Sequence, residues 1–327
     1  MHYEHCGVST TQGEGNHVRP DQTTIGFVGT GVMGAAMAGH LIDAGYSLRV
    51  HNRTRSKAQP LLAKGAVWCE TPGETAHEAD VVITMVGYPA DVEATYEGAQ
   101  GIIAAAKPGA VLVDMTTSSP DLARRIASAA QLAGVHALDA PVSGGDVGAR
   151  NATLTIMVGG EESALERVRP VLDVMGSMVT LHGPAGSGQH CKMANQIAIA
   201  ATMLGLAECL AYAVGAGLDR ARVIETLSGG SAQTWTLANY GPRVLAGDFA
   251  PGFYVKHFVK DLRIALAAAE SMKVALPGTA LARRLYEALC DGGGSELGTQ
   301  AIWLLYAGAQ ERQNAGVLGG IDVRMAT

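Results

Sequence analysis

Short apolar runs alternate with stretches of helical spacing along the first half of the chain. The apolar runs predict strands at residues 24–28, 47–51, 80–86, 110–114, 135–140, 153–158 and 177–181. The intervening stretches predict helices at residues 31–44, 56–64, 91–105, 121–133 and 162–175. Strands that alternate with helices of about 10–15 residues are typical of βαβ units with right-handed crossovers. The pattern therefore predicts an α/β domain with a mostly parallel, doubly wound sheet.

Strand patterns stop near residue 182, and the remainder of the chain has helical spacing. One long helix is predicted at residues 189–217, and shorter helices are predicted at 220–227, 262–272, 277–290 and 302–314. The chain is therefore predicted to have three parts. These are a mobile tail at residues 1–22, the α/β domain at 23–185 and an all-helical domain at 186–327 that contains the long joining helix.

An apolar segment at residues 197–218, which overlaps most of the long predicted helix, is long enough to span a bilayer. Its one charged residue, Glu208, lies at the middle of the segment. A carboxylate at that depth costs roughly 2.5–3.5 kcal/mol on insertion scales. The segment is also rich in alanine and glycine, so we predict a helix buried between domains or subunits and no membrane partner.

Composition narrows the possible partners. Hydrophobic residues make up 48% of the 327 residues, which is enough for a sizeable core. The 24 basic residues against 30 acidic ones give a net charge of −6, and no basic patch is visible. Because neutralisation of phosphates supplies most of the affinity for nucleic acids, no nucleic-acid partner is predicted.

The cysteines and the N-terminal residues bear on the cellular compartment. The five cysteines are odd in number and contain no CxxC pair, so neither a disulfide framework nor a zinc ribbon is expected. Residues 1–22 lack the apolar core of a signal peptide. These features predict a cytoplasmic protein. His2, His5 and Cys6 are close enough in sequence to chelate a metal loosely, but a metal site needs ligands in a fixed geometry, so an unstructured extension without metal is favoured.

A glycine-rich segment connects the first predicted strand to the first predicted helix. Gly29 permits a tight turn, Gly31 lets the backbone approach a pyrophosphate, and Gly34 lets helix and strand pack closely. The N-terminus of the following helix offers free N–H groups to phosphates. This is the context of a dinucleotide-binding Rossmann domain. The candidate cofactor contacts in the segment are Gly29, Thr30, Gly31, Val32, Met33 and Gly34.

The end of the second predicted strand indicates which dinucleotide is bound. A site selective for NAD usually places Asp or Glu there to bind the ribose 2′-hydroxyl. This chain has Asn52, followed by Arg53, Thr54 and Arg55. A 2′-phosphate would meet cations there, and arginine can bind phosphate with two hydrogen bonds. We therefore favour NADP(H) over NAD(H), with solvated loop arginines as the alternative.

Ser143, Gly144 and Gly145 follow a predicted strand within the sequence DAPVSGG. They offer a hydroxyl and unhindered backbone N–H groups, which suit a carboxylate or carbonyl oxygen. Taken alone, the segment can also be an ordinary turn.

Lys192 lies in the first turns of the long predicted helix. The helix dipole disfavours positive charge there, which can lower the pKa of the lysine and make it a proton donor or acceptor. Asn195 and Gln196 lie one turn further along on the same side. A solvated surface lysine is the alternative interpretation.

Together these segments resemble the β-hydroxyacid dehydrogenase family, which includes 3-hydroxyisobutyrate dehydrogenase and tartronate semialdehyde reductase. Four segments match in order: GTGVMG at 29–34, DAPVSGG at 139–145, GSGQHCKMAN at 186–195 and KDL at 260–262. The resemblance implies a Rossmann domain and a C-terminal helical domain joined by a long helix. It also implies a homodimer or homotetramer with apolar helices, such as residues 197–206, packed between subunits.

The resemblance further implies roles for individual residues. Lys192 would be the catalytic lysine, and Ser143, Gly144 and Gly145 would hold the substrate carboxylate. The other implied contacts of cofactor or substrate are Val86, Gly87, Thr117 and Lys260. Several relatives place the substrate-orienting asparagine where this chain has Gln196, so the orienting amide is either Asn195 or Gln196. Trp235 is a candidate for the pocket wall, with a core tryptophan as the alternative.

The expected reaction is hydride transfer between a nicotinamide and a small 3-hydroxy or 2-hydroxy acid, or its semialdehyde or keto form. A reductase of imines or other non-acids on the same scaffold is one alternative. A protein that binds NADP(H) as a sensor without turnover is another.

Overall fold

The computed structural model describes residues 18–317 as two domains. A parallel sheet forms the centre of the first domain, in the strand order β3-β2-β1-β4-β5-β6. Its strands are β1 (Thr24–Val28), β2 (Ser47–His51), β3 (Val67–Trp68), β4 (Val81–Thr84), β5 (Val111–Asp114) and β6 (His136–Asp139). The order, with β1 between β2 and β4, is that of a doubly wound Rossmann sheet. The predicted fold class is confirmed.

Nearly every position of the central strands is buried, because helices cover both faces of the sheet. Phe27 and Ile83 pack into the core on one face, and Val28 and Val82 pack into the core on the other. The helices of this domain are α1 (Val32–Asp43), α2 (Gln59–Ala63), α3 (Pro72–Ala76), α4 (Pro89–Glu97), α5 (Ile102–Ala105), α6 (Pro120–Leu132), α7 (Gly145–Arg150) and α8 (Glu162–Asp173).

The last two predicted strands of the domain do not extend the large sheet. They form a separate three-stranded sheet of β7 (Val142–Ser143), β8 (Leu154–Val158) and β9 (Gly176–Leu181). β7 pairs antiparallel with β8, whereas β8 and β9 are parallel. A bridge between Asp139 and Gly159 joins this small sheet to the edge of the large one. The small sheet thereby holds the Ser143 segment beside the carboxyl ends of the main strands.

The second domain is helical, as predicted. Its helices are α9 (Ser187–Gly215), α10 (Arg220–Ser228), α11 (Trp235–Leu245), α12 (Val255–Ser271), α13 (Pro277–Asp291) and α14 (Ala309–Asn314), with 3₁₀ turns at Gly294–Glu296 and Thr299–Leu305. Helix α9 packs against α11, α12 and α13 around one apolar core. Within the part of the chain that the structure describes, α9 alone is long and apolar enough to span a membrane by length and composition. Its buried side belongs to the core of this domain.

Several element boundaries differ from the predictions. The predicted helix at 91–105 is two helices, because Gly98 and Gly101 pack closely against preceding backbone oxygens and interrupt it. Helix α11 was not predicted, since Gly241 and Pro242 lie inside it and obscure its pattern. Helix α12 begins seven residues before the predicted start at 262, which places Lys260 inside it.

The predicted tail at 1–22 falls mainly outside the described residues, and this includes His2, His5 and Cys6. The described end of that segment packs onto the first domain. Val18 is buried in its core, and the Val18 N–H donates a hydrogen bond to Arg167 O at 3.2 Å. Pro20–Gln22 form a turn of 3₁₀ helix before β1. Residues 18–22 therefore belong structurally to the α/β domain.

Candidate active site

The carboxyl ends of the sheet strands face α9, α11 and α12 across a cavity of about 1420 Å³. Doubly wound folds bind ligands at this edge of the sheet. The predicted site residues that line the cavity are Gly29, Gly31, Val32, Met33, Gly34, Asn52, Arg53, Thr54, Val86, Gly87, Thr117, Ser143, Gly144, Gly145, Lys192, Asn195, Gln196, Trp235 and Lys260. Thr30 lies behind this lining with its side chain buried.

The glycine loop between β1 and α1 packs closely against the protein at Gly29 and Gly34 and is open to the cavity at Gly31. Gly29 has a φ of +97°, and a side chain there would overlap Met85 O. A side chain at Gly34 would overlap Gly29 O, so loop and helix can pack this closely only with glycine. A Cβ at Gly31 would point into open space, with no atom within 4 Å. The open side at Gly31 and the uncapped N-terminus of α1 fit a dinucleotide pyrophosphate.

The end of β2 lies beside this loop. Asn52 Oδ1 accepts a hydrogen bond from the Thr30 N–H at 3.0 Å, and Asn52 Nδ2 donates to Thr54 O at 2.9 Å. Arg53 and Lys57 line the cavity, so two cationic side chains stand at its wall close after the end of β2. Arg55 does not line it: its guanidinium packs over the Trp68 ring, 5.2 Å from the centroid. Arg53 and Arg55 were both considered from the sequence as ligands of a 2′-phosphate, but only Arg53 lines the cavity. The sequence analysis did not identify Lys57, which lines the cavity as well.

The loops after β4 and β5 approach the helical domain through Lys260. Its ammonium donates to Gly87 O at 3.1 Å and to Thr117 O at 2.8 Å. The same ammonium lies 3.2 Å from a carboxylate oxygen of Asp261. Lys260 thus connects α12 to two strand-end loops of the Rossmann domain.

The start of α9 is anchored to the Rossmann domain by buried polar groups. The Asp139 carboxylate accepts hydrogen bonds from the backbone N–H groups of Gly186 at 2.7 Å and Gln189 at 2.8 Å. The Gln189 side chain accepts from the Ser118 N–H at 2.9 Å and donates to Thr116 O at 2.8 Å. Asp139 therefore acts on the first turn of α9 as a cap supplied by another element. This anchoring sets the direction in which Lys192, one turn later, enters the cavity.

Lys192 is only 6% exposed, although it lines the cavity. Burial lowers the pKa of the ammonium from its usual 10.5 to about 8; the carboxylate of Asp261 opposes this shift, and the positive charge of Lys260 adds to it. The alternative interpretation of Lys192 as a solvated surface lysine is therefore wrong. A buried amine with a pKa near neutrality can both give and take a proton.

A chain of hydrogen bonds runs along the substrate side of the cavity. The Ser143 hydroxyl donates to Asn195 Oδ1 at 3.4 Å, and Asn195 Nδ2 donates to Gln196 Oε1 at 2.7 Å. Gln196 Nε2 then donates to Asp261 Oδ2 at 2.6 Å. Gln196 and Asp261 are buried, whereas Asn195 is half-buried at the cavity wall.

Trp235 is not a core tryptophan. It is 66% exposed and stands at the cavity wall at the start of α11, with its ring edge to face against Tyr240 at 5.4 Å. The sequence also missed the buried carboxylate of Asp261, although it directly follows Lys260 in the KDL segment. No cluster of metal-ligating side chains occurs between residues 18 and 317.

Comparison with known proteins places this geometry in a family. The NAD-binding domain model of 6-phosphogluconate dehydrogenase matches residues 24–183. The NAD-binding domain model of NADP-dependent 3-hydroxyisobutyrate dehydrogenase matches residues 186–306. The fold and the matches thus define an NAD(P)-binding dehydrogenase.

Similar whole proteins narrow this class. The chain is 50% identical to a probable 3-hydroxyisobutyrate dehydrogenase-like protein of Arabidopsis thaliana, over 91% of this chain and 88% of that protein. It is 40% identical to 2-hydroxy-3-oxopropionate reductase of Escherichia coli, over 85% of this chain and 95% of the reductase. The structure of Mycobacterium tuberculosis 3-hydroxyisobutyrate dehydrogenase with L-serine superposes with a TM-score of 0.81 at 33% identity, covering 88% of this chain and 99% of that one. The chain belongs to the 3-hydroxyisobutyrate dehydrogenase family of hydroxy-acid dehydrogenases.

Proposed function

We propose that the protein interconverts a small 3-hydroxy acid, or 2-hydroxy acid, and its semialdehyde or keto form, with NADP(H) as cofactor. The observation that carries this proposal is the buried Lys192 ammonium in the same cavity as the glycine loop and the Ser143 segment. The cavity thus combines a dinucleotide cradle, an acid–base group and donors for a carboxylate.

The residues that would hold the cofactor are those of the glycine loop and the adjoining strand ends. Backbone N–H groups at the start of α1 would bind the pyrophosphate. Val86, Gly87, Thr117 and Lys260 would border the nicotinamide end. When bound, the nicotinamide supplies or accepts the hydride.

The preference for NADP(H) is supported by the residues around the end of β2. Asn52 stands where a site selective for NAD usually has a carboxylate. Its side chain is already hydrogen-bonded to Thr30 and Thr54. Arg53 and Lys57 supply positive charge in the cavity. We expect Arg53→Asp to shift the ratio of kcat/KM toward NADH, and an unchanged ratio would remove Arg53 from the cofactor site.

Lys192 is proposed to move the proton. In reduction its ammonium protonates the oxygen that becomes the alkoxide, and in oxidation the neutral amine removes the hydroxyl proton. Ser143 and the N–H groups of Gly144 and Gly145 would bind the substrate carboxylate and thereby fix the position of the reacting carbon. Trp235 would close the far side of the pocket.

Asn195 is proposed to orient the substrate, with Gln196 behind it. Both ends of the Gln196 amide are occupied, by Asn195 and by the carboxylate of Asp261. Asn195 is the more exposed of the two, and its long 3.4 Å bond with Ser143 can be exchanged for a substrate group.

A panel of substrates with both cofactors tests the proposal. Glyoxylate, succinic semialdehyde, tartronate semialdehyde and methylmalonate semialdehyde are offered with NADPH and with NADH. We expect faster oxidation of NADPH with at least one of them. Binding of NADPH without turnover of any acid, but with reduction of a cyclic imine, would favour an imine reductase. Binding without any turnover would favour a sensor.

The family relationship also supports a homodimer or homotetramer, and the composition supports a cytoplasmic location. Sedimentation of the purified full chain measures the first. Fractionation of the source cells measures the second.

A further inference from the structure

An ion pair crosses the dinucleotide end of the cavity. Arg53 Nη1 donates a hydrogen bond to Asp91 Oδ1 at 3.1 Å. Arg53 follows β2, and Asp91 lies in the first turn of α4 after β4. Because β1 lies between β2 and β4, the pair passes over the strand that carries the glycine loop. Both residues line the same cavity.

The two partners differ in how firmly they are held. The Asp91 side chain is 25% exposed, and its Oδ2 also accepts the Tyr88 N–H at 3.1 Å, which caps α4. The Arg53 side chain is 83% exposed and has no other hydrogen bond or ion pair among residues 18–317. A ligand can therefore draw Arg53 away, but Asp91 cannot follow it.

We propose that Asp91 is a cofactor-selectivity residue whose carboxylate competes with the 2′-phosphate of NADP(H) for Arg53. The inference rests on the proposed preference for NADP(H). A 2′-phosphate beside Asn52 must take the Arg53 guanidinium from Asp91 before it can pair with that cation. The ribose 2′-hydroxyl of NAD(H) makes no such demand. Asp91 therefore weakens the binding of NADP(H) relative to NAD(H). As a result the protein keeps some activity with NAD(H).

The test uses Asp91→Asn in the full-length protein. Asparagine removes the charge but keeps an oxygen that can accept the Tyr88 N–H, so the cap of α4 is retained. The probes are adenosine 2′,5′-bisphosphate and 5′-AMP, which differ in the 2′-phosphate, and their dissociation constants are measured by calorimetry at low salt. We expect the bisphosphate to bind about two- to fivefold more tightly, the range for loss of an exposed ion pair, and 5′-AMP to bind as before. Weaker binding of the bisphosphate would show that Asp91 helps to position Arg53 and would overturn the proposal.

Glu93→Gln provides the matched control. Glu93 lies in the same helix, pairs with Arg125 and is outside the cavity lining, so this variant removes an equal charge elsewhere. It should leave the affinity for both probes unchanged. An equal gain in affinity for the bisphosphate in the Glu93 variant would show that the effect comes from the change in net charge. That result would also overturn the proposal.

Arg53→Ala separates this inference from the proposed function. If Arg53→Ala leaves bisphosphate binding unchanged, the proposed basis of NADP(H) preference fails, and the role of Asp91 fails with it. If Arg53→Ala weakens binding while Asp91→Asn has no effect, only the role of Asp91 is overturned. In the double variant, Asp91→Asn should have no effect, because the contested guanidinium is gone. If Asp91→Asn still raised the affinity for the bisphosphate in the Arg53→Ala background, Asp91 would not act by competing for Arg53.

Discussion

Gln196 donates a hydrogen bond of 2.6 Å from Nε2 to the buried carboxylate of Asp261. Because an ionised carboxylate only accepts hydrogen bonds, this contact fixes the orientation of the Gln196 amide. Gln196 Oε1 must then accept, and it does so from Asn195 Nδ2 at 2.7 Å. The Asn195 oxygen is thereby turned toward Ser143. One buried acid on α12 thus orders two amides on α9.

Replacement of the two amides should give different kinetic results. Asn195→Ala removes a group at the cavity wall, so we expect kcat/KM to fall at least tenfold, about 1.4 kcal/mol in the transition state, with little change in thermal stability. Gln196→Ala removes the hydrogen-bond donor to Oδ2 of the buried Asp261 carboxylate, so we expect the free energy of unfolding to fall by about 1–3 kcal/mol. Steady-state kinetics and urea titrations measure both quantities. Equal effects of the two variants on both quantities would contradict the division of roles.

Lys192→Ala should lower turnover by about 10²–10⁴-fold, the usual contribution of a positioned acid or base. Binding of NADPH, followed by its fluorescence, should persist, because the glycine loop is unchanged. Lys64→Ala is a suitable control, since that lysine pairs with Asp43 on the surface away from the cavity. Full turnover in the Lys192 variant would exclude the proposed proton transfer.

The two directions of the reaction should depend on pH with opposite signs. With a pKa of about 8, Lys192 is protonated below pH 8 and increasingly neutral above it. Reduction needs the ammonium, so kcat/KM should fall above pH 8, while oxidation needs the amine, so kcat/KM should rise toward pH 8. Because the charge of Lys260 contributes to the lowered pKa, Lys260→Gln should move both limbs to higher pH. If the two pH–rate profiles of that variant did not shift, the titration would belong to a group other than Lys192.

Asp139→Asn should destabilise the protein through the start of α9. One carboxylate oxygen would become an NH₂ group facing a backbone N–H of Gly186 or Gln189, and two donors cannot satisfy each other. We expect a loss of about 1–3 kcal/mol in the free energy of unfolding, measured by urea titration. Asp43→Asn, at an exposed ion pair, should change it by less than about 0.5 kcal/mol. Equal stability of both variants would show that the cap at Asp139 is unimportant.

The large sheet could be predicted because its signal is local. β1 and β2 have the predicted bounds: β1 is an almost continuous buried run, and β2 alternates between the buried Leu48 and Val50 and more exposed residues, and both patterns are visible in the sequence. Pairing partners at the edge of the domain depend on distant residues, so the separate sheet of β7, β8 and β9 could not be predicted from the same runs. Helix α11 was missed for a related reason: packing of Gly241 against Ile224 stabilises a segment whose composition argues against a helix.

By itself, the sequence determined the two-domain architecture, the glycine loop and the identity of the candidate acid–base residue, because strand and helix periods and short spaced motifs are local properties of the chain. Only the tertiary structure decided that Lys192 is buried, that Arg55 turns to Trp68 while Lys57 faces the cavity, and that Asp261 orders Gln196 and Asn195. The physical reason is that desolvation and charge pairing depend on which groups approach from other elements. Burial has the largest effect on the pKa of Lys192, and the two charged groups that act next, Asp261 and Lys260, come from a helix that begins 63 residues later in the chain than Lys192.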